Sequence, residues 1–170
     1  MVLHCYDSVT AEAIPPAPVV LGYVDGAYTT YPVLRERFRG SSTLVVGVTT
    51  GAGDADIIDV ENGDATPEAA ATWCIQRLKS GRRPTVYGTR DSLDAVVGLL
   101  RRRGVRADLC AYFLADFVQV GDPFVRWPRG IEAPYAGWQF AASVPVAHGH
   151  SVDASVVTRR WARRLGWKRG

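Results

Sequence analysis

The sequence predicts an α/β fold, specifically a compact, partly degenerate (β/α) barrel of the TIM type with mainly parallel strands. Short apolar runs that end in glycine, proline or asparagine alternate with helical segments along the chain. Strands that are apolar along their whole length are typical of parallel sheets, whose two faces are both covered. The chain has 170 residues. This is enough for one domain but short of the ~250 residues of a full barrel, so several helices must be short or missing.

An open, doubly wound sheet is the alternative to the barrel, because it shows the same alternation of strands and helices. No Gly-x-Gly-x-x-Gly or Walker sequence follows any of the predicted strands. Such glycine-rich turns hold the phosphates of nucleotides, so their absence disfavours the nucleotide-binding form of the open sheet.

About seven strands are predicted, one fewer than a full barrel has. The opening residues, 1–18, predict a short strand or loop followed by a rigid proline-rich run. The apolar runs after it predict strands at 19–24, 43–49, 57–61, 85–88, 109–117, 137–140 and 152–157.

Helices are predicted in the longer connections between these strands. One lies around 32–38. A second runs over 66–79, because Thr66 is a good capping residue and Pro67 suits the first helical turn. A third runs over about 91–100 and is followed by arginines and a glycine, which suit the carboxyl end of a helix.

The last part of the chain, residues 158–170, carries six of its 20 lysine and arginine residues. The net charge is only +3, and most of the positive charge comes from arginine. Residues 158–170 form a basic C-terminal helix or tail, in which Trp161 and Leu165 share one helical face. Either this face packs inward and leaves the basic side chains exposed, or the segment is attracted to an anionic surface such as wall polymers or membrane headgroups. No nucleic-acid partner is predicted, because no basic stripe with interleaved aromatic residues occurs elsewhere.

The start of the chain lacks the basic residues and apolar run of a signal peptide. No apolar stretch approaches the length that crosses a membrane, so no integral membrane segment is predicted. We therefore expect synthesis in the cytoplasm without a signal peptide. A target outside the membrane would then require a delivery partner.

Acidic residues fall at or inside several apolar strands. They are Asp25, Asp59 with Glu61, Asp116 and Asp153. In a parallel barrel the carboxyl ends of the strands converge on one rim, so these acids are expected to meet in one cleft. Asp59 and Glu61 are two residues apart on one strand and point to the same face.

A cluster of carboxyl groups in a partly dry pocket is unfavourable, because each negative charge opposes the ionisation of its neighbours. Glycoside hydrolysis uses this effect: one carboxyl group must keep a proton to donate to the leaving oxygen, while another stays ionised. Glu61, with the longer side chain, is predicted to be the proton donor and Asp59 its charged partner. No metal or other cofactor is predicted. Acids such as Asp64 are interpreted as turn formers.

At these residues the chain resembles the family 25 glycoside hydrolases, the lysozyme-like muramidases of bacteria and phages, and their shortened bacterial and actinophage relatives. The resemblance runs in order from about Val19 to Val157. Its pieces are the first strand ending in Asp25, Val46-Gly47-Val48-Thr49-Thr50-Gly51, Ile58-Asp59-Val60-Glu61, Pro84-Thr85-Val86-Tyr87, Leu114-Ala115-Asp116-Phe117, Trp138-Gln139-Phe140 and Val152-Asp153.

The resemblance implies that residues 1–157 form a glycoside-hydrolase-like domain whose substrate is peptidoglycan, cut at the β-1,4 bond after N-acetylmuramic acid without a metal. It implies an acid role for Glu61. The residues that it places around the site are Asp25, Asp59, Asp116 and Asp153, with Tyr87, Trp138 and Gln139 near the sugar. A core position is the alternative for Trp138.

The resemblance also has departures that keep a second function open. The chain is shorter than full-length members, and Phe117 stands in place of a tyrosine. A fold can persist after its activity is lost. The alternative is therefore a catalytically inactive barrel that binds cell walls or belongs to a phage virion. An enzyme would act at the cell wall, with a virion or a holin-type pore as delivery partner. A regulatory protein with an open sheet would instead scatter its acids over the surface.

Overall fold

The computed structural model describes residues 2–117 and 135–168 and shows a closed barrel of eight strands. The strands are β1 (Val2–Asp7), β2 (Val19–Tyr23), β3 (Leu44–Thr49), β4 (Ile57–Val60), β5 (Thr85–Gly88), β6 (Ala111–Ala115), β7 (Tyr135–Pro145) and β8 (Ser151–Thr158). They follow one another around the barrel in chain order.

The first seven strands are parallel, and β8 closes the barrel by pairing antiparallel with both β7 and β1. The predicted α/β barrel of mainly parallel strands is confirmed, and the open sheet is excluded. The predicted number of strands was one too low. The missing strand is β1, where only alternate residues are buried. The opening segment therefore lacks the continuous apolar run that reveals the other strands.

Four α-helices lie among the described residues: α1 (Tyr31–Arg37), α2 (Pro67–Lys79), α3 (Arg90–Arg102) and α4 (Arg159–Arg164). The Thr66 hydroxyl caps α2 by accepting a hydrogen bond from the amide of Ala69. Only a short 3₁₀ turn connects β1 to β2, and no helix connects β3 to β4. The barrel is thus shortened in two of its connections. Within the described ranges, no helix has the length and hydrophobicity needed to cross a lipid bilayer.

The hydrophobic core has two main layers because the side chains of each strand alternate in direction. One layer fills the barrel interior and includes Cys5, Leu21 and Phe113. The other lies between the outer face of the sheet and helices α2 and α3. The interior is so tightly filled that a Cβ atom on Gly137 would lie 2.4 Å from the Phe113 ring. Glycine is therefore required at this position.

Helix α4 covers the amino ends of the parallel strands. Trp161 is 2% exposed, packs edge-on against Phe113 and donates a hydrogen bond from Nε1 to the Thr85 hydroxyl at 2.9 Å. Leu165 packs against the same interior cluster, whereas Arg160 and Arg163 are exposed. The apolar side of this segment is thus part of the barrel core, and the opposite, carboxyl end of the barrel is left for a site.

Candidate active site

The last inward-facing positions of several strands form a polar layer at the carboxyl end of the barrel. The layer consists of Asp7, Tyr23, Asp59, Tyr87, Gln139 and Asp153, with Glu61 directly after β4. Residues two positions earlier, such as Cys5, Leu21 and Ile57, belong to the apolar interior. The alternation of side chains along each strand therefore directs these polar residues into the same hollow.

Asp59 lies deepest in this layer. It is 2% exposed, and one of its oxygens accepts a hydrogen bond from the Tyr23 hydroxyl at 3.4 Å. Its other oxygen, Oδ1, has no hydrogen-bond partner among the described residues. Burial, together with the negative charges of Glu61 and Asp64, raises the pKa of Asp59 to about 8. Burial thus favours the protonated form of Asp59, and its role as the charged partner of Glu61 stays a prediction.

Glu61 lies nearer to solvent and is half-buried. Burial and the negative charges of Asp64 and Asp153 raise its pKa, and a hydrogen bond from Tyr87 opposes the rise. The Tyr87 hydroxyl also donates to Oε1 of Gln139. Glu61 is therefore a half-buried acid with a raised pKa, and its role as the proton donor stays a prediction.

Asp7 belongs to the same cluster, although sequence reasoning did not identify it. It ends β1 and stands directly opposite Asp153 in the antiparallel pairing of β1 with β8. Burial, and then the charges of Asp153, Asp59 and Glu61, raise its pKa well above the usual value. Its Oδ1 finds no hydrogen-bond partner within the described part of the chain. Once β1 is recognised as a strand, alternation from Cys5 places Asp7 on the inner face.

Asp153 is held at the rim by two N–H donors. Nε2 of Gln139 donates to its Oδ2 at 3.0 Å, and the amide of Ser143 donates to its Oδ1 at 2.8 Å. Ser143 has a φ of 55°, in the left-handed region that side chains other than glycine rarely adopt. This strained backbone conformation orients the Ser143 amide towards the Asp153 carboxylate. Backbone N–H donors of this kind complement a negative charge.

Asp25 lies beside the cluster and has a different set of contacts. Its carboxylate accepts hydrogen bonds from the hydroxyl groups of Thr49 and Thr50, at 2.5 and 3.2 Å, and from the Thr50 amide at 2.8 Å. These bonds tie the loop after β2 to the end of β3. The negative charge of Asp25 contributes to a raised pKa of Asp64 after the larger effect of burial. Asp64, which the sequence predicted to be a turn former, therefore interacts electrostatically with both Asp25 and the acid cluster.

The structure does not bring Trp138 to the polar layer, which corrects the expectation that it lies near the sugar. Trp138 is 2% exposed and belongs to the outer core layer under α2 and α3. Its neighbour Gln139 points inward, so alternation directs Trp138 outward. The contacts of Asp116 in the described ranges are those of its backbone: its amide donates to the Gln139 carbonyl, and its carbonyl accepts from Trp138 Nε1. Asp116 thus joins the ends of β6 and β7.

The site can supply protons and negative charge, but its geometry offers little to a metal ion. Within residues 2–117 and 135–168, no group of three or more histidine, cysteine, aspartate or glutamate side chains is arranged to hold one. A layer of carboxyl groups with different affinities for protons can perform acid–base chemistry.

The sequence matches no family model, and no curated protein is significantly similar to it. Solved structures with a similar fold do exist. A Tat-secreted protein of Mycobacterium tuberculosis, solved in complex with L-tartrate, is 13% identical, with a TM-score of 0.55 over 94% of this chain and 96% of that one. The catalytic domain of an endolysin from a Listeria monocytogenes bacteriophage is 12% identical, with a TM-score of 0.55 over 99% of this chain and 98% of that domain. At these identities the similarity establishes a shared fold.

Proposed function

We propose that this chain is a glycoside hydrolase that cleaves β-1,4 bonds of peptidoglycan, with Glu61 as the general acid. The observation that carries the proposal is the meeting of Asp7, Asp59, Glu61 and Asp153, from three separate strands, at one end of the barrel. A fold gains no stability from such a cluster, because burial penalises each carboxylate and each charge penalises the others. Catalysis that needs both a protonated and an ionised carboxyl group accounts for it.

The positions of the acids and their effects on one another suggest their roles. The negative charge of Asp153 raises the pKa of Glu61, and the charge of Glu61 in turn raises the pKa of Asp59 and of Asp7. Burial and the neighbouring negative charges thus favour a proton on Glu61, and two N–H donors hold the carboxyl group of Asp153. Glu61 would donate this proton to the glycosidic oxygen as the bond to the anomeric carbon breaks. Asp153 would stabilise the positive charge on the sugar, or activate the water that adds to it.

Peptidoglycan is the substrate class that the structural comparison favours. The endolysin domain with the same fold comes from a phage of a bacterium, and the acid cluster of this chain is suited to hydrolysis of a sugar polymer. Tyr87 and Gln139 would contact the sugar beside Glu61, since both reach the inner face of the polar layer. A virion or a holin-type pore would bring the protein to the wall.

The experiment is hydrolysis of purified cell walls from several bacteria. We expect the wild-type protein to release new reducing ends without releasing new amino groups, because a glycosidase opens acetals and leaves peptide and amide bonds intact. Mass spectrometry of the products should find N-acetylmuramic acid at the reducing ends. The matched control is Glu68→Gln, an exposed acid on α2, which should cleave at the wild-type rate.

The non-catalytic alternative predicts a different result in the same experiment. A protein that sediments with the walls but releases no reducing ends from any of them would be a wall-binding or virion-structural barrel. Release of amino groups instead of reducing ends would identify an amidase or peptidase and would contradict the proposed chemistry.

A further inference from the structure

A cavity of about 210 Å³ opens beside the polar layer, between the loops that follow β1, β2, β3 and β4. Tyr23 forms part of its wall, and the hydroxyl of the same Tyr23 donates to Asp59. Asp64 also lines it, and the charge of Asp64 raises the pKa of both Asp59 and Glu61. The cavity therefore lies next to the candidate catalytic acids, and we call it the β2-side cavity.

Two large apolar side chains that line the β2-side cavity are exposed to solvent. Tyr28 is 56% exposed and Val9 is 54% exposed, and both line the same cavity together with Ala27. A single exposed apolar residue needs no explanation, but two that face one hollow next to a site are typical of a ligand-binding surface. The faces of sugar rings and the methyl groups of acetamides are apolar. A flat aromatic ring with methyl groups beside it suits both.

The opposite wall of the β2-side cavity is acidic and held in place. Three hydrogen bonds from Thr49 and Thr50 fix the Asp25 carboxylate, so this wall is formed before any ligand arrives. The carboxylate of Asp64 is exposed and free to accept hydrogen bonds from hydroxyl groups. Two negative charges in so small a space would repel an anionic ligand.

We propose that the β2-side cavity binds one neutral N-acetylglucosamine residue of the polymer, next to the bond that Glu61 cleaves. The proposal rests on the proposed function and deepens it. Tyr28 stacks on the sugar ring, Val9 and Ala27 contact the acetamido methyl group, and Asp64 accepts a hydroxyl hydrogen. An N-acetylmuramic acid residue is excluded, because its lactyl group carries either a carboxylate or a peptide. The negative charge of the cavity wall repels a carboxylate, and the cavity is too small for a peptide.

The test measures binding of chitotriose, a neutral trimer of N-acetylglucosamine, by calorimetry in the Glu61→Gln background, in which the probe is not cleaved. Tyr28→Ala should weaken binding about tenfold, because an aromatic contact and its buried area are lost. Tyr28→Phe should bind as tightly as tyrosine, since the ring is retained. The matched control is Leu109→Ala, which changes another exposed apolar residue (44% exposed) at the opposite end of the barrel and should leave binding unchanged.

A second measurement tests the exclusion of anionic sugars. In the same background, Asp64→Asn should strengthen binding of a probe that contains N-acetylmuramic acid with a free carboxylate, because one repelling charge is removed. Chitotriose should gain nothing from this change.

The outcomes separate this proposal from the proposed function. Cleavage of walls by a wild-type protein whose chitotriose affinity is the same with Tyr28→Ala, or is too weak to detect, would overturn the subsite and leave the enzyme. Binding that depends on Tyr28 in a protein that cleaves no wall would establish the subsite and overturn the catalytic role.

Discussion

Replacing Glu61 by glutamine is expected to lower the rate of wall hydrolysis by about 10²–10⁴-fold, the contribution that a positioned general acid makes. Glutamine keeps the size of the side chain and can still accept the hydrogen bond from Tyr87 that Glu61 accepts. It cannot give a proton to the leaving oxygen. The loss should therefore appear in kcat and in kcat/KM together, as for an interaction made in the transition state.

The measurement is release of reducing ends at saturating wall concentration, accompanied by thermal unfolding of both proteins. The unfolding temperature of Glu61→Gln should equal or exceed that of the wild type, because the variant lacks a carboxyl group whose ionised form burial disfavours. A variant that is as active as the wild type would show that another group supplies the proton. Asp59→Asn and Asp7→Asn would then identify that group.

The free energy of unfolding is expected to fall as pH rises from about 4 to 8. Asp59 has an ordinary value of 3.8, and its pKa in the folded protein is about 8. Between these values the folded state binds more protons than the unfolded state, so each rise in pH favours unfolding. One such group contributes about 1.4 kcal/mol per pH unit within the window, which amounts to several kcal/mol across it. Asp7, whose pKa is also raised, acts in the same direction.

Urea unfolding at a series of pH values from 4.5 to 8.5 tests this expectation. The double variant Asp7→Asn with Asp59→Asn should be much less sensitive to pH, because neither amide titrates. Asp91→Asn, an exposed acid in the first turn of α3, is the matched control and should keep the wild-type slope. A wild-type stability that is constant or rises over this range would mean that the two aspartates are ionised and hydrated.

The sequence identified the elements whose signals are local. The capping residue Thr66 and the proline after it marked the start of α2, and continuous apolar runs marked the strands from β2 onward. The pair Asp59 and Glu61 could be placed on one face because residues two apart on a strand share a side. These inferences needed no knowledge of distant neighbours.

The strand that the sequence left undecided carries a central residue of the site. Strand β1 buries every second residue, and its partner β8 comes from the other end of the chain. A short run with alternating burial does not distinguish a strand from a loop before its partner is known. Asp7 was missed for this reason. Asp64 was interpreted as a turn former, because an aspartate beside a glycine suits a turn, and its side chain also lines the β2-side cavity.

The sequence alone thus determined the fold class, most of the elements and the acid pair of β4, because periodicity, capping and strand alternation act between residues close along the chain. The tertiary structure decided which acids meet Glu61: Asp7 and Asp153 do, Asp25 is held in the neighbouring loop, and Trp138 points into the outer core. It also buried Asp59, which raises the pKa of this carboxyl group to about 8. Burial and charge repulsion depend on distances through space, and only the closure of the barrel sets these.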